Sequence, residues 1–148
     1  MKNLVTQVIE LEKVKFPLLI KFYQRVYRKG RSLKGARAFV MQRDGISCAA
    51  KLRVIDSHLL LCSVVCATKF RGVGDASSVI TYLLKQQTQT VYCFLSPSLQ
   101  MFYSRLGFIL ADADSNIPKP IKHKYSAYQK NQVLLLMYYS IKRGNSSA

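Results

Sequence analysis

The sequence predicts an α+β protein: a mixed, mostly antiparallel central sheet flanked by helices. Three observations predict it. Short apolar runs separated by turn signals, of which Asp44-Gly45 is the strongest, read as antiparallel strands. Two near-continuous apolar runs, residues 59–66 and 91–95, read as central strands buried on both faces. Between them lies a segment of helical period, and a strand, helix, strand succession makes a right-handed parallel crossover.

In chain order, residues 1–9 alternate weakly and leave strand and helix both open. Pro17 fits the first turn of a helix whose apolar positions are Leu18, Leu19, Phe22, Tyr23, Val26 and Tyr27, with Lys21, Arg25, Arg28 and Lys29 opposite. The loop Lys29-Gly30-Arg31-Ser32-Leu33-Lys34-Gly35 is positive and rich in turn residues. Residues 36–41 and 46–55 form a hairpin around Asp44-Gly45, and Asp56-Ser57-His58 turns the chain into the 59–66 strand. A loop and the helix it leads into follow over 68 to about 87, then a polar link and the 91–95 strand. Pro97 opens a short helix over 98–106 that Gly107 stops. A strand over 108–110, an irregular flap over 112–124 and a final strand over 132–141 complete the chain.

At 148 residues the chain reads as one domain, residues 1–148, with 49% hydrophobic content that excludes a disordered protein. The longest apolar runs are far too short to span a bilayer, so no membrane partner is expected. Glu10, Glu12 and Lys13 interrupt any apolar leader, and a cytoplasmic location is expected. Cys48, Cys62, Cys66 and Cys93 show no Cys-x-x-Cys spacing and are expected as reduced thiols. By alternation Cys62 and Cys66 share a strand face, too far apart to bond each other. His58 and His123 lie outside any ligand spacing, so no metal is expected. Against 23 Lys and Arg stand 7 Asp and Glu, a net charge of +16 that calls for an anionic partner.

The most informative stretch is Arg71-Gly72-Val73-Gly74-Asp75-Ala76, which joins a buried strand to a helix carrying Ile80, Leu83 and Leu84. The first N–H groups of such a helix lack intrahelical partners and its dipole is positive there, so a phosphate is the natural guest. Gly72 and Gly74 let the chain bend and let a ligand approach bare backbone, and Arg71 adds a permanent charge. Arg71-x-x-Gly74-x-Ala76 resembles the (Gln/Arg)-x-x-Gly-x-(Gly/Ala) loop with which GNAT-superfamily N-acetyltransferases hold the pyrophosphate of acetyl-CoA. Phe102-Tyr103-Ser104-Arg105-Leu106-Gly107-Phe108, at the expected distance, resembles the Tyr-x-x-x-Gly-Phe end of that family's fourth helix.

The resemblance runs from about residue 17 to 141 and implies the GNAT acyl-CoA N-acyltransferase fold, with acetyl-CoA as cosubstrate. It implies that the loop from Arg71 through Gly72, Val73, Gly74 and Asp75 to Ala76 holds the cofactor. The backbone of Val64, Val65 and Cys66 would then pair with the pantetheine amides. Tyr103 takes the place of the tyrosine that protonates the departing sulfur. Relatives often carry a glutamate base on the central strand, whereas residues 59–66 contain no carboxylate; His58 is the candidate base, acting directly or through water. Asp75 stands where the family is usually apolar and is expected to point away from phosphate. Ser96 replaces a frequent asparagine.

The functional expectation is acetyl transfer to an amine, on a small molecule or a macromolecule, with an acidic or phosphate-bearing acceptor favoured by the basic first helix and loop. The alternatives are a non-catalytic CoA-binding regulatory module and a basic protein associated with nucleic acid or another polyanion. A monomer or homodimer is expected.

Overall fold

The computed structural model describes residues 6–26 and 32–141. Tyr27, Arg28, Lys29, Gly30 and Arg31, which carry much of the expected basic loop, lie outside the described residues, as do residues 1–5. The elements run β1 (Gln7–Glu10), α1 (Phe16–Val26), β2 (Ala36–Gln42), β3 (Ile46–Ile55), β4 (His58–Cys66), α2 (Asp75–Lys85), β5 (Val91–Leu95), α3 (Gln100–Arg105), β6 (Ile109–Leu110), α4 (Lys119–Gln129) and β7 (Leu135–Tyr139). The seven strands follow the order β1-β2-β3-β4-β5-β7-β6. The mixed sheet expected from the sequence is present: β4 and β5 run parallel, with Leu59 opposite Val91 and Leu61 opposite Cys93, and β1–β2, β2–β3, β5–β7 and β6–β7 are antiparallel.

The chain divides into two compact units, Met1–Arg53 with Cys62–Gln86 and Val54–Leu61 with Gln87–Ala148. In the first, α1 buries Leu19, Phe22 and Tyr23 against Ala38 and Val40 of β2 and Ala49 of β3. Small residues on the strands let the aromatic rings of the helix seat closely, and each such ring contributes about 1.5–3 kcal/mol of burial. Leu18, expected on that apolar face, is exposed: the buried stripe is set by Leu19, Phe22 and Tyr23 and leaves Leu18 one residue outside it. In the second unit, Leu60, Tyr92, Ile117, Ile121 and Leu136 form the core, with Phe94, Tyr125 and Tyr138 against it.

The expected flap over 112–124 is corrected: most of α4 occupies its second half. Pro118 is the N-cap and Pro120 lies in the first turn, where a missing N–H costs no intrahelical bond. Ile121 is the one buried residue of this helix, which explains why no apolar stripe announces it. The final strand is β7, shorter at both ends than the 132–141 expected.

The expectation of a strand buried on both faces holds for only part of β4: Leu59, Leu60 and Leu61 are buried, whereas residues 62–66 are all partly exposed. A bulge explains the change. Asp56 and Ser57 both have positive φ, 48° and 68°, the signature of a two-residue type I′ turn that sets Ile55 opposite His58. Stepping down both strands from there would bring Ser47 opposite Cys66, yet the Ser47 carbonyl accepts the Ala67 N–H at 2.8 Å. β4 therefore contains one extra residue. Ser63, at φ 54°, is the strained position within it, and its carbonyl accepts the Tyr23 hydroxyl at 2.8 Å.

Candidate functional site

Beyond Cys66 the chain makes a single 3-10 turn, Thr68–Phe70, before the loop and α2. The helix that follows the loop begins at Asp75. Gly72 and Gly74 have φ of 83° and 86°, in the left-handed region where a side chain is strained. Gly74 is the N-cap of α2, and no side chain caps the helix there. A Cβ added at either glycine would meet nothing within 4 Å, so both face open space. Arg71, Gly72, Val73 and Gly74 are exposed. The Arg71 Nε donates to the Cys66 carbonyl at 3.3 Å, which folds the guanidinium back over the end of β4. An uncapped helix start, two bare glycines and a guanidinium are the elements of an anion site.

Asp75 does turn away from the open side. Its carboxylate receives a two-pronged ion pair from Arg43 Nε and Nη2, both at 2.9 Å, and the Ser47 hydroxyl at 3.0 Å. Those hydrogen bonds, that from Arg43 foremost, hold its carboxyl below the usual range although the residue is buried. Asp75 thereby ties α2 to the β2–β3 hairpin and keeps its negative charge off the loop. Arg43 also lies over the Phe70 ring at 5.8 Å, and Lys69 over the same ring at 5.2 Å. Arg43, Ser47 and Lys69 escape a motif reading because their roles depend on partners far along the chain.

Cys66 closes β4 beside this helix start. The bulge places Cys48 opposite it, with the two sulfurs 2.6 Å apart and both thiols free. The expectation that Cys62 shares a face with Cys66 is corrected, because the extra residue reverses the alternation. Cys62 neighbours Lys51, which lies over the Tyr23 ring of α1, while Cys66 meets Cys48, whose neighbour Ala49 faces α1. Val64 and Val65 are partly exposed, and Val65 packs at the edge of the α1 core.

His58 and Tyr103 belong to the second unit. His58 opens β4 directly after the turn and is partly exposed. Tyr103 is buried, with its ring edge-on to Phe102 and Phe108 at 5.1 and 5.3 Å. Its carbonyl accepts the N–H groups of Leu106 and Phe108, and Gly107 follows α3 at φ 104°, the left-handed stop expected from the sequence. Among the described residues no cluster of three metal-ligating side chains occurs, and no helix is long and apolar enough to cross a membrane.

In the first unit a cavity of about 640 Å³ is lined by Phe16 and Ile20 of α1, Leu33, and the basic residues Lys13, Lys34 and Arg37. Arg37 is engaged with Glu10 at 2.8 and 2.9 Å. Among the described residues no acidic side chain lines it.

No protein-family model matches the chain, and a search of curated proteins finds no match. Solved structures do match. The ribosomal-protein-S18-alanine N-acetyltransferase from Escherichia coli superposes with a TM-score of 0.68 at 13% identity, over 97% of this chain and 99% of that one. A GNAT-family acetyltransferase from Staphylococcus aureus gives 0.58 at 16% identity, over 92% and 99%. The chain has the GNAT fold. N-acetylglutamate synthase from Neisseria gonorrhoeae, solved with coenzyme A and N-acetyl-glutamate, gives 0.69 at 12% identity over 96% of this chain and 36% of its own length. β4, the glycine loop, α2 and β5 form the parallel crossover expected from the sequence.

Proposed function

We propose that the protein is an acetyl-CoA-dependent N-acetyltransferase. The observation that carries this reading is the loop Arg71–Ala76 itself. Two left-handed glycines open onto solvent ahead of an uncapped helix start, and the one carboxylate in the loop is withdrawn into an ion pair. The diphosphate of acetyl-CoA would accept the loop N–H groups, with Arg71 neutralising charge. The bulge at Ser63 supports the accompanying role of Val64, Val65 and Cys66: a strand taken out of regular pairing has backbone groups to offer the pantetheine amides. Binding there fixes the thioester in one place, which is the first requirement for transfer to an amine.

Tyr103 is the proposed general acid for the thiolate and His58 the proposed base. His58 lies at the opposite end of β4 from Cys66, so it would receive the acceptor's proton through water; an amine that arrives neutral needs no base. An acidic acceptor is favoured by the cavity bearing Lys13, Lys34 and Arg37, whose apolar floor of Phe16, Ile20 and Leu33 suits an amine that also carries a carboxylate or phosphate. Release of free thiol from acetyl-CoA, followed across a panel of acidic and basic amines, tests the reading. Thiol release that depends on the acidic amines supports it, and acetyl-CoA binding without release under any amine favours a CoA-binding module that does not transfer.

A further inference from the structure

We propose that Cys48 and Cys66 form a redox-active dithiol that closes to a disulfide and so sets the charge at the start of α2. The geometry comes from the bulge. The one-residue slip of β4 makes Cys48 and Cys66 directly opposed neighbours on antiparallel strands, the arrangement in which Cα atoms approach most closely. The sulfurs are 2.6 Å apart, and a bond needs about 2.05 Å, so closure requires a shift of only about half an ångström.

The two thiols are not equivalent. Cys48 is fully buried, whereas Cys66 is partly exposed at the end of β4. The Cys48 thiol foremost, with the Ala76 N–H in the first turn of α2 and Arg71, draws the Cys66 thiol below the ordinary cysteine range against burial and the Asp75 charge; Cys48 is correspondingly pushed up. A thiolate that is reachable and carries its resolving partner at contact distance is the usual construction of an exchanging pair. Cys62, partly exposed like Cys66, has no partner sulfur at contact distance, and burial pushes its thiol up.

The chemistry needs a low-molecular-weight disulfide as oxidant. The Cys66 thiolate attacks one of its sulfurs, forming a mixed disulfide and expelling one thiolate. That thiolate takes the Cys48 proton; the Cys48 sulfur attacks Cys66 Sγ and expels the second thiolate. One small disulfide is reduced to one thiol and one thiolate, the thiolate carrying off the charge that Cys66 brought, and the two protein sulfurs become one disulfide. Closure takes the ionisable Cys66 sulfur out of titration at the helix start that, on the reading above, receives the diphosphate. The oxidised protein should therefore hold acetyl-CoA several-fold more tightly; this consequence rests on that reading, while the disulfide does not.

The test equilibrates the full chain with oxidised and reduced glutathione at about pH 8, near the ordinary cysteine pKa, traps remaining thiols by alkylation and maps peptides by mass. Acetyl-CoA, which has no free thiol, is then titrated calorimetrically into each form. A Cys48–Cys66 linkage in the wild type, a glutathione adduct on Cys66 in Cys48→Ser, and neither in Cys66→Ser support the dithiol, provided circular dichroism shows each variant folded. Cys62→Ser should behave as wild type. Reaction at Cys62 or Cys93 first, or no linkage at any glutathione ratio, overturns the dithiol whatever acetyl-CoA does. A linkage with equal acetyl-CoA affinity in both forms overturns the control of charge. A linkage with no acetyl-CoA binding in either form overturns the acetyl-CoA reading and leaves the dithiol standing.

Discussion

Substitution of Gly74 separates the two demands made on this residue. Its φ of 86° lies in the left-handed region, and a Cβ there would meet nothing within 4 Å. The folding cost of Gly74→Ala is therefore conformational alone, about 1–2 kcal/mol. For a chain of this size that lowers Tm by roughly 2–8 °C. Gly74→Glu pays the same backbone cost and adds a carboxylate beside the proposed diphosphate. Two unit charges about 4 Å apart at an effective dielectric of about 20 interact by about 4 kcal/mol, or roughly a thousandfold in affinity. Gly35, also left-handed at φ 67° and also facing open space, is the control: Gly35→Ala should melt like Gly74→Ala and bind acetyl-CoA like wild type. Differential scanning calorimetry gives Tm and titration calorimetry gives Kd. A folded Gly74→Glu protein whose Kd for acetyl-CoA is within twofold of wild type would refute the placement of the diphosphate.

Further expectations concern neighbouring groups. Tyr103→Phe should lower kcat while leaving the Kd for acetyl-CoA near wild type; equal turnover in a thiol-release assay would reduce Tyr103 to a packing residue. Ser47→Ala removes a hydrogen bond to the buried Asp75 carboxylate and should cost about 1.5–3 kcal/mol in urea unfolding. Because the folded protein holds the Asp75 carboxyl low, its contribution is present above the unfolded carboxyl pKa of about 3.9 and is lost as pH falls through the folded value. Asp75→Asn should flatten that acid limb, and an unchanged limb would exclude Asp75 as its source. Burial holds Lys51 below the usual lysine pKa, so the unfolded chain binds the additional proton and stability should rise as pH climbs toward about 10.4. The stability difference between wild type and Lys51→Met, followed by denaturant unfolding across that range, should show this rise; a constant difference would contradict it.

The sequence makes legible whatever rests on local pattern. β3 and β5 have the bounds read from apolar runs and turn residues, and the stop at Gly107 and the left-handed loop glycines follow from the need for positive φ. Features that depend on a distant partner are hidden. α4 shows a single buried residue and one proline after a proline N-cap, and it is held by distant partners, with Ile121 in the core and Tyr125 against it. The bulge at Ser63 leaves no composition signal, since Ser is neither a glycine nor a turn marker in an apolar run; its Tyr23 bond comes from 40 residues away. With the bulge unseen, the faces of Cys62 and Cys66 and the Cys48–Cys66 pairing were beyond reach of simple alternation. Asp75 was legible as a residue that must avoid phosphate, whereas Arg43 and Ser47, which hold it back, were not.

A crystal structure of the protein with acetyl-CoA would locate the diphosphate directly. The diphosphate oxygens should lie within hydrogen-bond distance of the backbone N–H groups of the Arg71–Ala76 loop, with Asp75 still paired to Arg43. Acetyl-CoA bound with its diphosphate elsewhere, or a loop whose N–H groups remain in water while the cofactor is bound, would contradict this placement.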